Sequence, residues 1–121
     1  TEAYGGFAGP VILAEEYPVN LSDCIGKWVI EGTDGTVYDL ADAEATVNAY
    51  PGKLVQGYAM EDIDLKLELI FVSDRTALIR TTIDNKTDEA LELSLKEESS
   101  THTAEDLLWE PLWRRRTTVW P

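Results

Sequence analysis

The sequence predicts an all-β domain of antiparallel strands, a sandwich or a barrel. Three observations carry this. Ile63, Leu65, Leu67, Leu69 and Phe71 fall at every second position, with Asp64, Lys66 and Glu68 between them. That period marks a strand with one apolar face. Two further alternating runs follow, Ala77, Ile79, Thr81 and Ile83, then Leu91, Leu93 and Leu95. Turn-forming residues separate the runs at short intervals, which favours an all-β fold over α/β. Residues 54–96 therefore read as a three-stranded antiparallel meander with one dry face. Leu65, Leu67, Leu69, Ile79, Leu91 and Leu93 are the expected core.

In chain order, residues 1–10 read as a loop broken by Gly5, Gly6, Gly9 and Pro10. Residues 11–14 are a short apolar strand ending in Glu15, Glu16 and Tyr17, and residues 18–23 a connection. Residues 25–31, with Trp28, Val29 and Ile30, form the next strand. The Asp34-Gly35 pair marks a hairpin turn, and residues 36–39 return. Residues 41–44 could open a helix, but Thr46, Val47, Ala49 and Tyr50 suit a strand better. Pro51 and Gly52 turn the chain into the meander. Ser73, Asp74 and Arg75 make one turn within it, and residues 84–88 another. The total is about seven or eight short strands.

Residues 101–121 differ in character. Glu105, Asp106 and Glu110 balance Arg114, Arg115 and Arg116, so the net charge of −13 lies in residues 1–100. Trp109, Trp113 and Trp120 crowd together without alternation. Leu108 with Leu112 and Trp109 with Trp113 have helical spacing, which Pro111 interrupts. A domain of residues 1–100 is expected, followed by a tail, loop or short helix that is not integral to the sheet. The alternative is a helix docking Leu108, Trp109, Leu112 and Trp113 onto an open sheet face.

A chain of 121 residues, 44% of them hydrophobic, suffices for one domain with one core. No apolar run approaches the roughly 20 residues of a membrane-spanning helix, and no basic-then-apolar segment marks a signal peptide. Starting at Thr1, the chain reads as a processed or excised piece. The net charge of −13 disfavours nucleic acid, whose binders replace counterions with Lys and Arg. It also disfavours anionic membrane surfaces. Neutral ligands such as sugars remain open. The single Cys24 excludes an internal disulfide and reads as a buried, inert thiol.

No catalytic, cofactor or metal residue is assigned. The lone His102 sits in a Ser/Thr-rich turn, which gives a nucleophilic triad no base. One His and one Cys, far apart, do not make a zinc site. Glu61, Asp62 and Asp64 lack the spacing of a calcium loop. Glu15 and Glu16 could serve as the carboxylate pair of glycoside hydrolysis only if both faced one bond; strand neighbours point to opposite faces. Gly5, Gly6 and Gly9 lack the setting of a phosphate cradle. Among the aromatic residues Tyr4, Phe7, Tyr17, Trp28, Tyr38, Tyr50 and Tyr58, core packing is the commoner fate. Phe7, placed in a loop, is the candidate for stacking on a sugar.

The order of several elements resembles a known family. Gly5, Gly6, Phe7, Ala8 and Gly9 lead into residues 11–14, then Glu15, Glu16 and Tyr17. Residues 44–50 precede Pro51, Gly52, Lys53, Leu54, Val55 and Gln56, and the meander follows through Asp74, Arg75 and Thr76. Over about residues 4–96 this resembles the N-terminal domain of bacterial glycoside hydrolase family 63 proteins, relatives of eukaryotic mannosyl-oligosaccharide glucosidase. The resemblance implies a β-sandwich, incomplete in this chain, joined to an (α/α)₆ barrel that carries the catalytic acid and base. It implies inversion at α-glucosidic bonds by the parent, and a bacterial periplasmic or secreted address. None of the family's catalytic carboxylates maps onto this chain, and the family continuation after Ser100 would be further strands. The expected role is non-catalytic: packing on the barrel and shaping its cleft. The alternative is a free-standing carbohydrate-binding sandwich with an oligosaccharide as ligand. Neither reading calls for a cofactor.

Overall fold

The computed structural model describes residues 5–8, 11–14, 16–20, 24–73, 76–102 and 107–121. Among them the regular structure is all strand. The strands are β1 (Phe7–Ala8), β2 (Val11–Ala14), β3 (Tyr17–Asn20), β4 (Cys24–Ile25), β5 (Lys27–Gly32) and β6 (Val37–Tyr38). They continue with β7 (Glu44–Tyr50), β8 (Lys53–Ala59), β9 (Ile63–Phe71), β10 (Ala77–Asn85), β11 (Leu91–His102) and β12 (Leu107–Val119). Two four-stranded antiparallel sheets make the sandwich, in the orders β10-β9-β8-β7 and β12-β11-β5-β6. Two short ribbons, β1-β4 and β2-β3, accompany them. The all-β sandwich expected from alternation is the observed fold.

The period-two runs do what their chemistry requires. On β9, Ile63, Leu65, Leu67 and Leu69 are buried, and they meet Ile30 of β5 and Leu93 and Leu95 of β11 in one core. Burying a Leu or Ile side chain fully contributes about 1.5–3 kcal/mol, which outweighs any single exposed ion pair on the outer face. Leu65, Leu67, Leu69 and Leu93 are buried as expected, while Ile79 and Leu91 are half-buried against the same cluster. The Pro51-Gly52 turn joins Tyr50 to Lys53, and β7 is a strand rather than a helix.

Four expectations are corrected. The meander is β7-β8-β9-β10, and the third predicted strand, β11, crosses to the opposite sheet. Alternation reports which face of a strand is buried, and Leu91, Leu93 and Leu95 point inward in either sheet. The connection of residues 86–90 is long enough to cross the roughly 10 Å between stacked sheets. Asn85 organises the crossing: its Nδ2 donates to the carbonyls of Glu89 (2.7 Å) and Val119 (2.8 Å), and its Oδ1 accepts from the Thr87 amide at 2.8 Å. Tyr17–Asn20 is a strand rather than a connection, paired with β2. The strand expected over residues 25–31 is broken at Gly26 into β4 and β5. Finally, β11 continues past Ser100 to His102, and β12 pairs with it from Leu91↔Val119 to His102↔Leu107. Residues 107–119 are thus the edge strand of the second sheet, not a tail. The proline that interrupts helical spacing fits here. The register shifts so that Glu97 faces Trp113 and Glu98 faces Pro111, and a bulge on an edge strand is where a sheet tolerates proline.

Leu67→Ala should destabilise the domain by about 2–5 kcal/mol in chemical unfolding. Val47→Ala, at a side chain 71% exposed, should change stability by less than about 0.5 kcal/mol. Equal losses would show that the inner face is misassigned. Deleting residues 107–121 removes β12 and the Val119 side chain packed on the core, and should lower Tm by about ten degrees or more. An unchanged Tm would mean that β12 is dispensable.

Candidate functional site

Two of the motifs that carry the family resemblance, Gly-Gly-Phe and Pro-Gly-Lys-Leu-Val-Gln, meet in space. The Tyr58 hydroxyl accepts from the Gly5 amide at 2.9 Å and donates to Gln56 Oε1 at 2.8 Å. Gln56 Nε2 donates to the Gly6 carbonyl at 2.9 Å, and the Trp28 amide to the Gly5 carbonyl at 2.8 Å. Gly5 takes a left-handed φ of 76°, and a Cβ there would overlap Leu40 Cδ1. A Cβ on Gly6 would lie 2.9 Å from both Cys24 Sγ and Lys27 Cα. Gly-Gly-Phe is therefore a strap that needs two residues without side chains, with Phe7 as the anchor in the core. Gln56, the last residue of the Pro-Gly-Lys-Leu-Val-Gln element, is its clasp. A buried amide pair left without partners would cost about 1–3 kcal/mol per group.

This arrangement removes Phe7 as a sugar platform, because its ring is 3% exposed. Glu16 is exposed in the turn between β2 and β3 with φ 76°, and Glu15 and Tyr4 lie outside the described residues. His102 ends β11. Cys24 is a buried thiol. Glu61 and Asp62 occupy the β8–β9 turn, and Asp64 pairs with Lys86 at 3.4 Å. Among the described residues no cluster of His, Cys, Asp and Glu is placed to hold a metal ion. An open hollow of about 550 Å³ at that end is lined by Tyr38, Asp39, Asp42, Glu44, Asp62 and Lys86, among others. Burial raises the Tyr38 phenol above its ordinary pKa, and the charges of Asp62 and Asp34 add to this.

The most organised polar chemistry lies on the outer face of the β7–β10 sheet. Strand register lines up Tyr50, Lys53, Ile70 and Leu78 in one row, and Asn48, Val55, Glu68 and Arg80 in the next. Glu68 stands at a nominally solvent-facing position yet is 1% exposed. Its neighbours bury it. Arg80 Nε donates to Oε2 at 2.6 Å, Lys53 Nζ to Oε1 at 3.4 Å, and Lys66 Nζ lies 3.5 Å from Oε1. Three cations around one carboxylate leave this spot locally positive on a chain of net charge −13. Beside it, Tyr50 is 54% and Leu78 55% exposed, with Lys53 Nζ 5.8 Å from the Tyr50 ring centre. Apolar side chains ringed by fixed cations suit an acidic, partly apolar partner surface.

Sequence reasoning missed Glu68. Its identity looks like any outward strand residue, and its burial depends on side chains from β8 and β10 that only the register brings close. The Arg80 hydrogen bond, then that from Lys53, holds its pKa down to about 2 against the opposing effect of burial. A carboxyl that binds its proton less readily when folded stabilises the fold fully above the ordinary glutamate range. That stabilisation is lost as pH falls through the folded pKa. The stability difference between the natural chain and Glu68→Gln should therefore be constant above about pH 5 and shrink between about pH 4.5 and pH 2. Denaturant melts across that range check it. A difference independent of pH down to pH 2 would show that the cations do not hold the carboxylate.

Residues 1–106 match the sequence family described as the N-terminal region of glucosidase YgjK. A search of curated proteins returned no match. The matched span contains the Gly-Gly-Phe strap, its Gln56 clasp and strands β1 to β11, and it ends beyond the Lys96 at which the motif resemblance stops. This chain belongs to the family of glucosidase YgjK N-terminal domains.

Proposed function

We propose that this chain is the non-catalytic N-terminal sandwich of a family 63-like α-glucosidase, packing on an (α/α)₆ catalytic barrel and shaping its substrate cleft. The family match supports an origin at the N-terminal end of a glucosidase. The observation that carries the docking role is the outer-face patch: exposed Tyr50 and Leu78 beside Ile70, with Lys53, Lys66 and Arg80 fixed in place by Glu68. Fixing the cations in advance reduces the side-chain entropy lost on association. The strap and the core supply rigidity, and the acid and base of glycoside hydrolysis belong to the barrel in this reading. A carbohydrate-binding role is the second reading, favoured by one observation: the Tyr50 ring stands open to solvent beside polar Asn48 and Lys53.

The purified chain should show no turnover of α-glucosides. Turnover abolished by Glu16→Gln would overturn the non-catalytic assignment. Tyr50→Asp should leave the stability of this chain within about 0.5 kcal/mol, yet lower the Tm of the chain joined to its catalytic barrel. Equal, small effects in both contexts would remove the patch from the docking surface. Oligosaccharide binding by the chain, lost in Tyr50→Ala, would favour the second reading.

A further inference from the structure

Among the described residues, β10 is hydrogen-bonded on one side only: β9 lies along one edge and no strand along the other. Natural edge strands usually carry a guard, such as proline, a bulge or an inward-pointing charge. β10 has none of these. Residues 77–85 contain no Pro or Gly, their register with β9 runs unbroken, and the inward positions are Ala77, Ile79, Thr81, Ile83 and Asn85. At this flank the sandwich is open. A cleft of about 430 Å³ between the sheets is lined by Ile79, Thr81 and Ile83 of β10, facing Trp28, Leu95 and Val119 with Glu97 and Thr117 beside them. A strand added to β10 would continue its ladder and lay its own inward side chains over the cleft.

The sequence of β10 is complementary to itself. About Thr81, antiparallel pairing of two copies sets Ile79 against Ile83 and Thr81 against Thr81 on the inner face. On the outer face it sets Leu78 against Asp84 and Arg80 against Thr82, with Arg80 diagonal to Asp84. β-branched pairs, threonine pairs and opposite charges are the cross-strand combinations that stabilise sheets. Arg80 uses Nε for Glu68, so its terminal guanidinium nitrogens are the donors for Asp84 of the second copy. We propose that β10 pairs antiparallel with β10 of a second copy about a two-fold axis at Thr81. The product is one continuous eight-stranded sheet with the two clefts facing each other across the axis. The interface is isologous and closes at two copies, as a two-fold axis requires. The other edge of this sheet, β7, is exposed at every residue, so pairing there would cover no core-lining side chain.

Sedimentation of the natural chain from micromolar to millimolar concentration should show a monomer–dimer equilibrium. Asp84→Arg should raise its midpoint concentration about tenfold, because two symmetric charge pairs become repulsive. Directly opposed residues in an antiparallel pair have Cα atoms about 4.5–5.5 Å apart, within disulfide reach. Thr81→Cys should therefore oxidise to a disulfide-linked dimer under native conditions. Val47→Cys on β7 and the natural chain, which keeps only buried Cys24, should not. A monomer throughout the concentration range would overturn the proposal, and that measurement does not depend on a variant folding. So would cross-linking through Val47→Cys as efficient as through Thr81→Cys, which would place the contact on the other edge.

Discussion

One face of one strand sets the terms for this domain. Ile63, Leu65, Leu67 and Leu69 on β9 are buried together, and a single sheet cannot hide them. The second sheet exists to cover them, with Ile30, Leu93 and Leu95 as the facing layer. The crossover at Asn85 follows from the same need, because β11 is more useful opposite β9 than beside β10. The N-terminal strap serves it too. Phe7 fills the core, Gln56 and Tyr58 satisfy the strap's backbone from the inner face of β8, and two glycines make the close approach sterically possible.

The outer face follows a different logic. Glu68 shows that a polar position on a sheet can be buried by its own neighbours rather than by the core. Long cationic side chains lie over it from β8, β9 and β10. The cations are 37%, 52% and 60% exposed, so water and salt screen them, and the cluster's value for stability is modest beside that of the core. Its value lies in the docking role proposed above. It holds three positive groups in place next to exposed apolar side chains, on a chain that is elsewhere strongly acidic. The edges differ again, for β10 borders an open cleft while β7 borders solvent. The three overlap on β10: Leu78 and Arg80 belong to both patch and edge, and Ile79 and Ile83 reach the core.

Much of the fold was legible in the chain. Alternation at Ile63, Leu65, Leu67 and Leu69 identified the deepest strand, and Pro51-Gly52 and Asp34-Gly35 placed two turns. Sheet membership was not legible, because Leu91, Leu93 and Leu95 carry the same period in either sheet. The place of residues 107–119 was not legible for a related reason. Proline argues against a helix and against a central strand, but it leaves an edge strand with a bulge open, and the edge is a property of the whole sheet. The resemblance motifs were visible as residues, yet their meaning needed the fold. Gly5 and Gly6 lie some fifty positions from Gln56 in sequence, and only the fold makes them partners. Glu68 was the least legible, since nothing local distinguishes it from Glu92.

β9 and β11 belong to opposite sheets closed on one shared core. Native-state hydrogen exchange tests it most directly. Amides of β9, β5 and the Leu93 to Leu95 segment of β11 should exchange only through one common global opening, with one free energy and one denaturant dependence, while β7 amides should exchange through smaller local openings. Clearly different opening free energies for β9 and for Leu93 and Leu95 would contradict it, because the two sheets would then not share the core on which the structure depends.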